Sequence, residues 1–454
     1  MKSSEEVGRR RKRSGGLERK GDLDVADGES NSITKVLPDE VIVDIFSRLP
    51  VRSASNCKLV CRNWCEVIRS PLFRETHLHR ALLRKHDNTV SFLFLTLDND
   101  SRLYHGSHYE DREPYMEFRR INHPPIKKKY GKTAVVGSCN GLVCLSKYYP
   151  PNISDPVYIC NPYLGEQITL RKFSVMVTNK NNVVVKKTSY LDGEIVSGFG
   201  YNSISDEYKV VRIYCAAGGL NGQIQVYTLG SGSGWRDKEE IPYSLKRDEI
   251  ITLTHFLTDS HTDYWEIYNP SRGVLANSAL HWFDQEWEIV AFDLAEEQFS
   301  LLPSPNCDGV RNFLPLQVLE GRLCVASRSQ DGNRLEILSF YKASSEWENM
   351  FSISCRSDDF KDVYWPISLT LSGKLILRPN YETLICYDPQ TGEFKEQMVR
   401  NTDTHVGPSF CDYPKVEAIP HMNSFVSLKA LGEKSKTITS DATSSRSKRS
   451  RSLL

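Results

Sequence analysis

The sequence has no hydrophobic run long enough to cross a membrane. Its most apolar short segment, Ser91–Leu97, falls far below the roughly 20 residues that a transmembrane helix needs, and is typical of a buried strand. Residues 1–20 hold the basic run Arg9–Arg13 and no apolar stretch that would form a signal-peptide core. We therefore expect a protein that is neither inserted in a membrane nor secreted.

The chain also lacks an excess of charge of either sign. Its 58 Lys and Arg residues nearly balance 57 Asp and Glu residues, which leaves a formal net charge of +1. Such a balance offers no overall field to attract nucleic acid or a membrane surface, so neither is an expected partner. With 454 residues, 39% of them hydrophobic and 25% charged, the composition is that of a globular protein with a small domain and a large one.

Metal-binding spacing is absent as well. None of the 12 cysteines forms a Cys-x-x-Cys pair. Cys57, Cys61 and Cys65 recur at helical spacing, but His77 and His79 do not follow them at zinc-finger spacing. We expect free cysteines that act as small buried hydrophobes, and neither a metal nor a cofactor.

The common catalytic motifs are missing too: there is no G-x-S-x-G elbow, P-loop, H-E-x-x-H or dinucleotide fingerprint. The 11 histidines are scattered along the chain. A Cys–His hydrolase stays open as an alternative, because such pairs meet only in three dimensions. The expectation is nevertheless a protein that is not an enzyme.

What is present divides into four parts. Residues 1–32 form a tail that is first basic and then acidic, and residues 432–454 form a second tail rich in Ser, Lys and Arg. Both have too few apolar residues to offset the entropy of ordering, which predicts disorder. Between them, residues 36–85 have a helical pattern and residues 90–430 have the short runs and turn signals of an all-β domain.

The β region contains a loose internal repeat. A turn residue precedes an apolar strand at Asn140–Cys144, Ser278–Trp282, Glu320–Cys324 and Ser372–Ile376. In each of these four places a second strand follows and ends in a turn. The later copies recur at roughly the 45- to 50-residue spacing of a four-stranded propeller blade. The pattern favours a β-propeller over an open sandwich and leaves the number of blades undetermined.

The helical region carries a spaced motif. It begins with Leu37-Pro38, continues through Ile45 to Leu49-Pro50, and ends with Val60-Cys61-Arg62-Asn63-Trp64. In this spacing the segment 37–68 resembles an F-box, a three-helix domain. The resemblance implies docking to the Skp adaptor and, through it, to a cullin scaffold. The residues that it assigns to this contact are Leu37, Pro38, Ile45, Leu49, Pro50, Leu59, Val60 and Trp64. The chain departs from the family at Ala54, where Leu is usual, and at Asn56 and Cys57, where Arg and Phe are common.

The β region has family marks of its own. They are Gly137–Cys144, Ile159–Pro162, Gly198–Asn202 and Asp206–Val211. Together they resemble the F-box-associated domain of plant-type F-box proteins, a kelch-like β domain, over most of residues 90–430. Asn161-Pro162 suggests a turn, and Gly198 and Gly200 suggest a tight strand corner.

These resemblances imply the substrate-recognition subunit of a Skp–cullin–F-box ubiquitin ligase, with a target protein bound by the β domain. A regulatory F-box protein uncoupled from the ligase and a propeller hydrolase remain alternatives. We expect recognition in long loops, Arg171–Leu191 and Asp259–Arg272, with Trp265 and Tyr268 as target-binding anchors, although both also suit a blade core. The basic runs Arg9–Arg13 and Ser447–Arg451 resemble nuclear import signals, which predicts the nucleus, the cytoplasm or both.

Overall fold

A computed structural model gives the architecture of the chain. It describes residues 37–83, 89–96, 103–109, 115–121, 133–149, 153–178, 184–187, 193–217, 222–245, 249–254, 264–269, 272–305, 313–329, 333–354, 364–379, 384–396, 398–401 and 416–438. The two predicted tails and both basic runs lie outside these residues, apart from residues 432–438.

The N-terminal domain is helical, as the sequence predicts: the F-box segment holds three helices, and a fourth follows it within the described residues 37–83. They are α1 (Asp39–Ser47), α2 (Val51–Cys57), α3 (Arg62–Arg69) and α4 (Pro71–Leu83). Pro38 and Pro50 precede the first two helices, where a missing N–H costs no hydrogen bond. Ser70 separates α3 from α4, and its hydroxyl oxygen accepts a hydrogen bond from the Phe73 N–H at 3.1 Å. The Ser-Pro pair therefore ends one helix and starts another.

The remaining elements are strands. The first half of the β domain contains β1 (Thr89–Thr96), β2 (Leu103–Tyr109), β3 (Tyr115–Arg120), β4 (Thr133–Cys139), β5 (Leu142–Tyr149), β6 (Ile153–Asn161), β7 (Glu166–Thr169), β8 (Val175–Thr178), β9 (Val184–Lys187), β10 (Gly193–Asn202), β11 (Glu207–Ala216), β12 (Gly222–Thr228), β13 (Trp235–Asp237), β14 (Glu249–Thr254) and β15 (Tyr264–Asn269). The second half contains β16 (Arg272–Ala276), β17 (Ala279–Phe283), β18 (Ile289–Asp293), β19 (Phe299–Leu302), β20 (Gln317–Leu319), β21 (Arg322–Arg328), β22 (Arg334–Tyr341), β23 (Glu346–Ser354), β24 (Tyr364–Leu369), β25 (Leu375–Pro379), β26 (Ile385–Asp388), β27 (Glu393–Glu396), β28 (Met398–Asn401), β29 (Val416–Pro420) and β30 (Lys436–Thr437).

Most strands belong to six four-stranded antiparallel units, here called blades. Blade 1 has the order β29-β1-β2-β3, blade 2 is β4–β7, blade 3 is β10–β13, blade 4 is β16–β19, blade 5 is β20–β23 and blade 6 is β24–β27. Blades 3 and 4 share one sheet through a short parallel pairing of β10 with β16. Strand β28 extends blade 1 and β30 extends blade 2.

The blades close into a propeller-like ring. Each neighbouring pair shares a buried apolar cluster, for example blades 3 and 4 around Trp282 and blades 5 and 6 around Leu375. The same holds around the rest of the circle, including the junctions of blade 1 with blades 6 and 2. The C-terminal strand β29 pairs with the N-terminal strand β1, with Phe92 opposite Pro420. The predicted propeller is therefore confirmed, and its ends are joined within one blade.

Local turn chemistry explains the sequence repeat. Its apolar runs are the second strands of blades 2, 4, 5 and 6, and the following runs are their third strands. At Asn140-Gly141 both φ angles are positive, 50° and 85°, as a two-residue hairpin turn requires. After the third strand of blade 2, the Asn161 carboxamide oxygen accepts the N–H groups of Tyr163 and Leu164, which makes the predicted Asn-Pro turn.

Three predictions need correction. Gly198 lies within β10 rather than at a corner, directly opposite Gly273, and a Cβ there would meet Leu280 and Trp282 at about 3 Å. The segments expected as long loops contain strands: β8 and β9 lie within Arg171–Leu191, and β15, which pairs with β14, lies within Asp259–Arg272. Residues 432–438, assigned to a disordered tail, instead pack on the ring and include β30.

Candidate functional site: the F-box surface and its seat on the ring

The helical domain buries one side of α1 and leaves another side exposed. Ile42, Val43 and Phe46 pack into a core with residues of α3 and α4 such as Ile68 and Phe73. Val41 and Ile45 of the same helix, in contrast, face solvent, at 40% and 44% exposed. Helix α1 is therefore apolar on two sides, and only one of them is covered within the chain.

Exposed apolar side chains also lie beyond this side of α1. Val41 and Ile45 are four residues apart, which places them on one face of the helix, and the exposed Leu37 stands two residues before the helix begins. The turn between α2 and α3 adds Leu59 at 86% and Val60 at 63% exposure. We call these five side chains the apolar surface of the F-box. Isolated exposed apolar residues are ordinary, but five of them besides the exposed Leu72, Leu82 and Leu83 of α4 are many for so small a domain and indicate an interaction site.

Six of the eight residues assigned by resemblance lie on the outside of the domain. They are Leu37, Pro38, Ile45, Pro50, Leu59 and Val60. Leu49 and Trp64 are half-buried and pack against the domain core. The Trp64 ring meets Phe46 edge-on at 4.7 Å between centroids, and the Leu49 carbonyl oxygen lies 3.0 Å from Nε2 of His77. These two contribute mainly to the shape of the domain, whereas Val41 joins the surface without having been singled out.

Two of the three departures from the F-box pattern lie in the core of the domain rather than on this surface. Ala54 is fully buried in the helical core, and Cys57 is half-buried against it. Of the three departures only Asn56 is exposed. The unusual residues therefore alter internal packing and leave the apolar surface intact.

A charge cluster holds α1 against α4 beside this surface. The Arg80 guanidinium donates to the Asp44 backbone carbonyl at 2.7 Å and to its carboxylate, and Arg48 donates to the same carboxylate at 2.8 Å. The hydrogen bond from Arg80 is the main reason that the pKa of Asp44 lies below its ordinary value. The i,i+4 spacing of Asp44 and Arg48 is visible in the sequence, but the partner from α4 is not.

The F-box sits on one identifiable face of the ring. Successive strands of a blade run antiparallel, so first-to-second and third-to-fourth turns share one face, and second-to-third loops and blade connections share the other. Tyr163 and Leu164, in the third-to-fourth turn of blade 2, pack into the helical core, and the Tyr163 hydroxyl donates to the Val51 carbonyl at 3.1 Å. The F-box therefore covers the turn face.

The opposite face carries both two-stranded sheets, because β8–β9 and β14–β15 are inserted in blade-to-blade connections. Trp265 and Tyr268 lie in β15, paired with Leu253 and Ile250 of β14. The connection that holds β14 and β15 leaves blade 3 and enters blade 4 on the face away from the F-box. The side chains of Trp265 and Tyr268 are outside the described part of the chain.

Three described side chains that could act as a base or a nucleophile, His421, Cys139 and Cys160, have pKa values that disfavour this role. Ser138 Oγ lies 2.8 Å from Nδ1 of His421, but burial, helped by nearby His105, lowers the pKa of His421 to about 3. A histidine with so low a pKa is a weak general base. Burial also raises the pKa of the Cys139 and Cys160 thiols to about 12, which disfavours the nucleophilic thiolate.

No group of three or more His, Cys, Asp or Glu side chains among the described residues is placed to hold a metal ion. Nor does any helix in this part of the chain combine the length and apolar character needed to span a membrane.

Comparison with known proteins agrees with this architecture. Residues 91–423 match the family described as the F-box associated beta propeller domain, and residues 34–79 match the family described as F-box-like. F-box protein At3g07870 of Arabidopsis thaliana is 27% identical over 402 residues, which span 80% of this chain and 87% of that protein. F-box protein CPR1 of the same plant is 25% identical over 390 residues, spanning 80% of this chain and 85% of that one.

Among solved structures, an oligogalacturonate lyase of Vibrio parahaemolyticus aligns with 69% of this chain and 80% of its own, at 7% identity and a TM-score of 0.32. A similarity this low supports no functional inference. The family match, in contrast, spans well over half of the chain. The protein is thus an F-box protein, and it belongs to the plant-type family with a C-terminal F-box associated β-propeller domain. Its domain order corresponds to a substrate-recognition role.

Proposed function

We propose that this protein is the substrate-recognition subunit of a Skp–cullin–F-box ubiquitin ligase. The observation that carries the proposal is the apolar surface of the F-box, in which Leu59 and Val60 are among the most exposed aliphatic side chains described. An Skp-type adaptor covers this surface and links the chain to the cullin scaffold. The protein itself supplies no chemistry: it raises the local concentration of a target near a ubiquitin-conjugating enzyme.

The target binds the face of the ring opposite the F-box. Blade strands are used in packing, so loops and inserted strands supply recognition surfaces in propellers. That face carries β8–β9 and β14–β15, and we keep Trp265 and Tyr268 of β15 as proposed target anchors. A target held there faces away from the adaptor. The basic runs Arg9–Arg13 and Ser447–Arg451 support a nuclear site of action.

Two alternatives remain for the experiment to address. A ligase-uncoupled protein would need a damaged adaptor surface, whereas the departures Ala54 and Cys57 are internal. A propeller hydrolase would need an activated nucleophile, whereas His421 is a weak base.

The decisive experiment replaces Leu59 and Val60 together by Asp and measures co-purification with the Skp adaptor. Burying each aliphatic side chain contributes about 1.5–3 kcal/mol, so the double variant should lose adaptor binding. Its thermal unfolding should stay unchanged, because both side chains are exposed in the free protein. The matched control is Ile204→Asp, since Ile204 is 85% exposed in a ring turn and lies outside the F-box. Undiminished adaptor capture by the Leu59/Val60 variant would refute the docking assignment.

A second arm of the experiment tests the target face. Trp265→Ala with Tyr268→Ala should lose proteins captured by the intact chain while retaining the adaptor. A capture list identical to that of the wild type would place recognition elsewhere on the molecule.

A further inference from the structure

The segment that follows β29, residues 421–428, crosses from the ring into the F-box. We call it the clasp. Its central side chain, Phe425, is 3% exposed and belongs to the helical core rather than to a blade. The Phe425 ring lies 5.4 Å from the Phe73 ring and 5.0 Å from the His77 ring, both on α4, and the Lys58 ammonium group lies 4.6 Å above it. A residue near the C-terminus therefore completes the core of the N-terminal domain.

Asn161 of blade 2 binds the clasp to the ring through hydrogen bonds. The Asn161 carboxamide N–H group donates to the carbonyl oxygens on both sides of Phe425, those of Ser424 at 3.2 Å and Val426 at 2.7 Å. Its carboxamide oxygen is occupied by the blade turn itself, through the Tyr163 and Leu164 N–H groups. One fully buried side chain thus fixes the turn that touches the F-box and the backbone that presents Phe425.

A second contact explains the Asn-Gly pair at the first turn of the same blade. The Ser424 hydroxyl donates to the Asn140 carbonyl at 2.5 Å. A Cβ on Gly141 would come within 2.1 Å of Ser424 Oγ and 2.9 Å of the Ser424 backbone nitrogen. Glycine is therefore required here by close approach of the clasp as well as by its positive φ of 85°.

The clasp is continuous with ring closure at both of its ends. Before it, β29 completes blade 1. After it, Leu428 is buried between blades 2 and 3, the Glu433 carboxylate accepts the Tyr227 hydroxyl at 2.9 Å, and β30 pairs with β7. Residues 416–438 therefore join blades 1, 2 and 3 and the F-box in one uninterrupted path.

We propose that the clasp is the device that fixes the F-box on the ring, so that one C-terminal segment both closes the ring and holds the F-box in place. The orientation of the helical domain is then set by Phe425 and Asn161 rather than by the short chain connection between α4 and β1. This inference concerns the protein alone and holds whatever partner covers the apolar surface.

The test measures the distance between the two domains in the full-length protein. Fluorophores are attached through non-natural amino acids at Asn56 of α2 and at Gln390 of blade 6, both exposed, so that the native cysteines are left alone. Single-molecule energy transfer should give one narrow distance distribution for the wild type. Phe425→Ala and Asn161→Ala should each lose it and give a broad distribution with the ring still folded.

Phe292→Ala is the matched control, because Phe292 is equally buried but lies between blades 3 and 4. It should lower stability and leave the distribution narrow. Should Phe425→Ala fail to fold, Phe425→Leu gives a milder test, since it removes the ring contacts with Phe73 and His77 and keeps an apolar side chain. A distribution that stays narrow and native in the folded Phe425 variant or in Asn161→Ala would overturn the proposal.

Discussion

Glu297 offers a quantitative test of how neighbouring blades are held together. It lies in the third-to-fourth turn of blade 4, and three cations from blade 3 surround its carboxylate: Lys209 at 3.0 Å, Arg236 at 2.6 Å and Lys238 at 2.7 Å. Burial alone would raise the pKa of Glu297, but the hydrogen bonds from these cations outweigh it and lower the pKa to about 2. The carboxylate is therefore more stable in the folded chain than in the unfolded one.

The size of this effect follows from the shift. From an ordinary value of 4.5 to about 2, the pKa change corresponds to about 3 kcal/mol at neutral pH. Arg236 and Lys238 are 38% and 33% exposed, so solvent screening reduces the net contribution to about 2 kcal/mol. Because the folded pKa lies below the unfolded one, this stability is present above pH 4.5 and is lost as the pH falls towards 2.

Glu297→Gln should therefore lower the unfolding free energy at pH 7 by about 2 kcal/mol, measured by urea denaturation followed by tryptophan fluorescence. The control is Glu296→Gln, which changes an exposed neighbour in the same turn and should alter stability by less than about 0.5 kcal/mol. In the double variant with Lys238→Met the two effects should be less than additive. Equal stabilities of Glu297→Gln and Glu296→Gln would show that the cluster contributes nothing to the junction.

Two other predictions concern buried groups in the ring. Burial lowers the pKa of His421 to about 3 and that of His281 to about 4. As the pH falls, both histidines are therefore protonated at a higher pH in the unfolded chain than in the folded one. The free energy of unfolding should fall as the pH drops below 6.5, by about 2 kcal/mol per histidine at pH 5, and the fall should be smaller in His421→Gln. A midpoint of urea denaturation that is equal at pH 7 and pH 5 would contradict this prediction. Gly273→Ala should destabilise the protein by about 1–3 kcal/mol, because the new Cβ would lie 2.4 Å from the Trp282 ring. Unchanged tryptophan fluorescence and thermal stability in that variant would refute the assigned packing.

Much of the ring is predictable because its hairpins are local. The turn residues Asn161, Asp293 and Asp388 each hold backbone N–H groups a few positions later, so their chemistry recurs in the sequence at blade spacing. The repeat therefore locates two strands in each of four blades. The F-box motif is equally local, since its helices are bounded by Pro38, Pro50 and the Ser70-Pro71 pair.

The features that the sequence does not reveal depend on contacts between residues far apart in the chain. The pairing of Phe92 with Pro420 closes the ring, but no turn signal links residues so far apart in the chain. Phe425 resembles any other aromatic residue until the fold places it beside α4. Likewise, an apolar pattern cannot tell which side of α1 is covered by the chain and which by a partner, so Ile42 and Ile45 look alike in the sequence but differ in burial.

The unusual F-box core also follows from this non-local packing. A domain of about fifty residues has little core of its own, and a buried Ala54 in place of the usual leucine reduces it further. The same cluster contains Phe425, Tyr163 and Leu164, all contributed by the β domain. These aromatic and aliphatic groups add from outside to a helical core that is small on its own. The helical domain thus depends on the ring for its packing, while its apolar surface remains free for a partner.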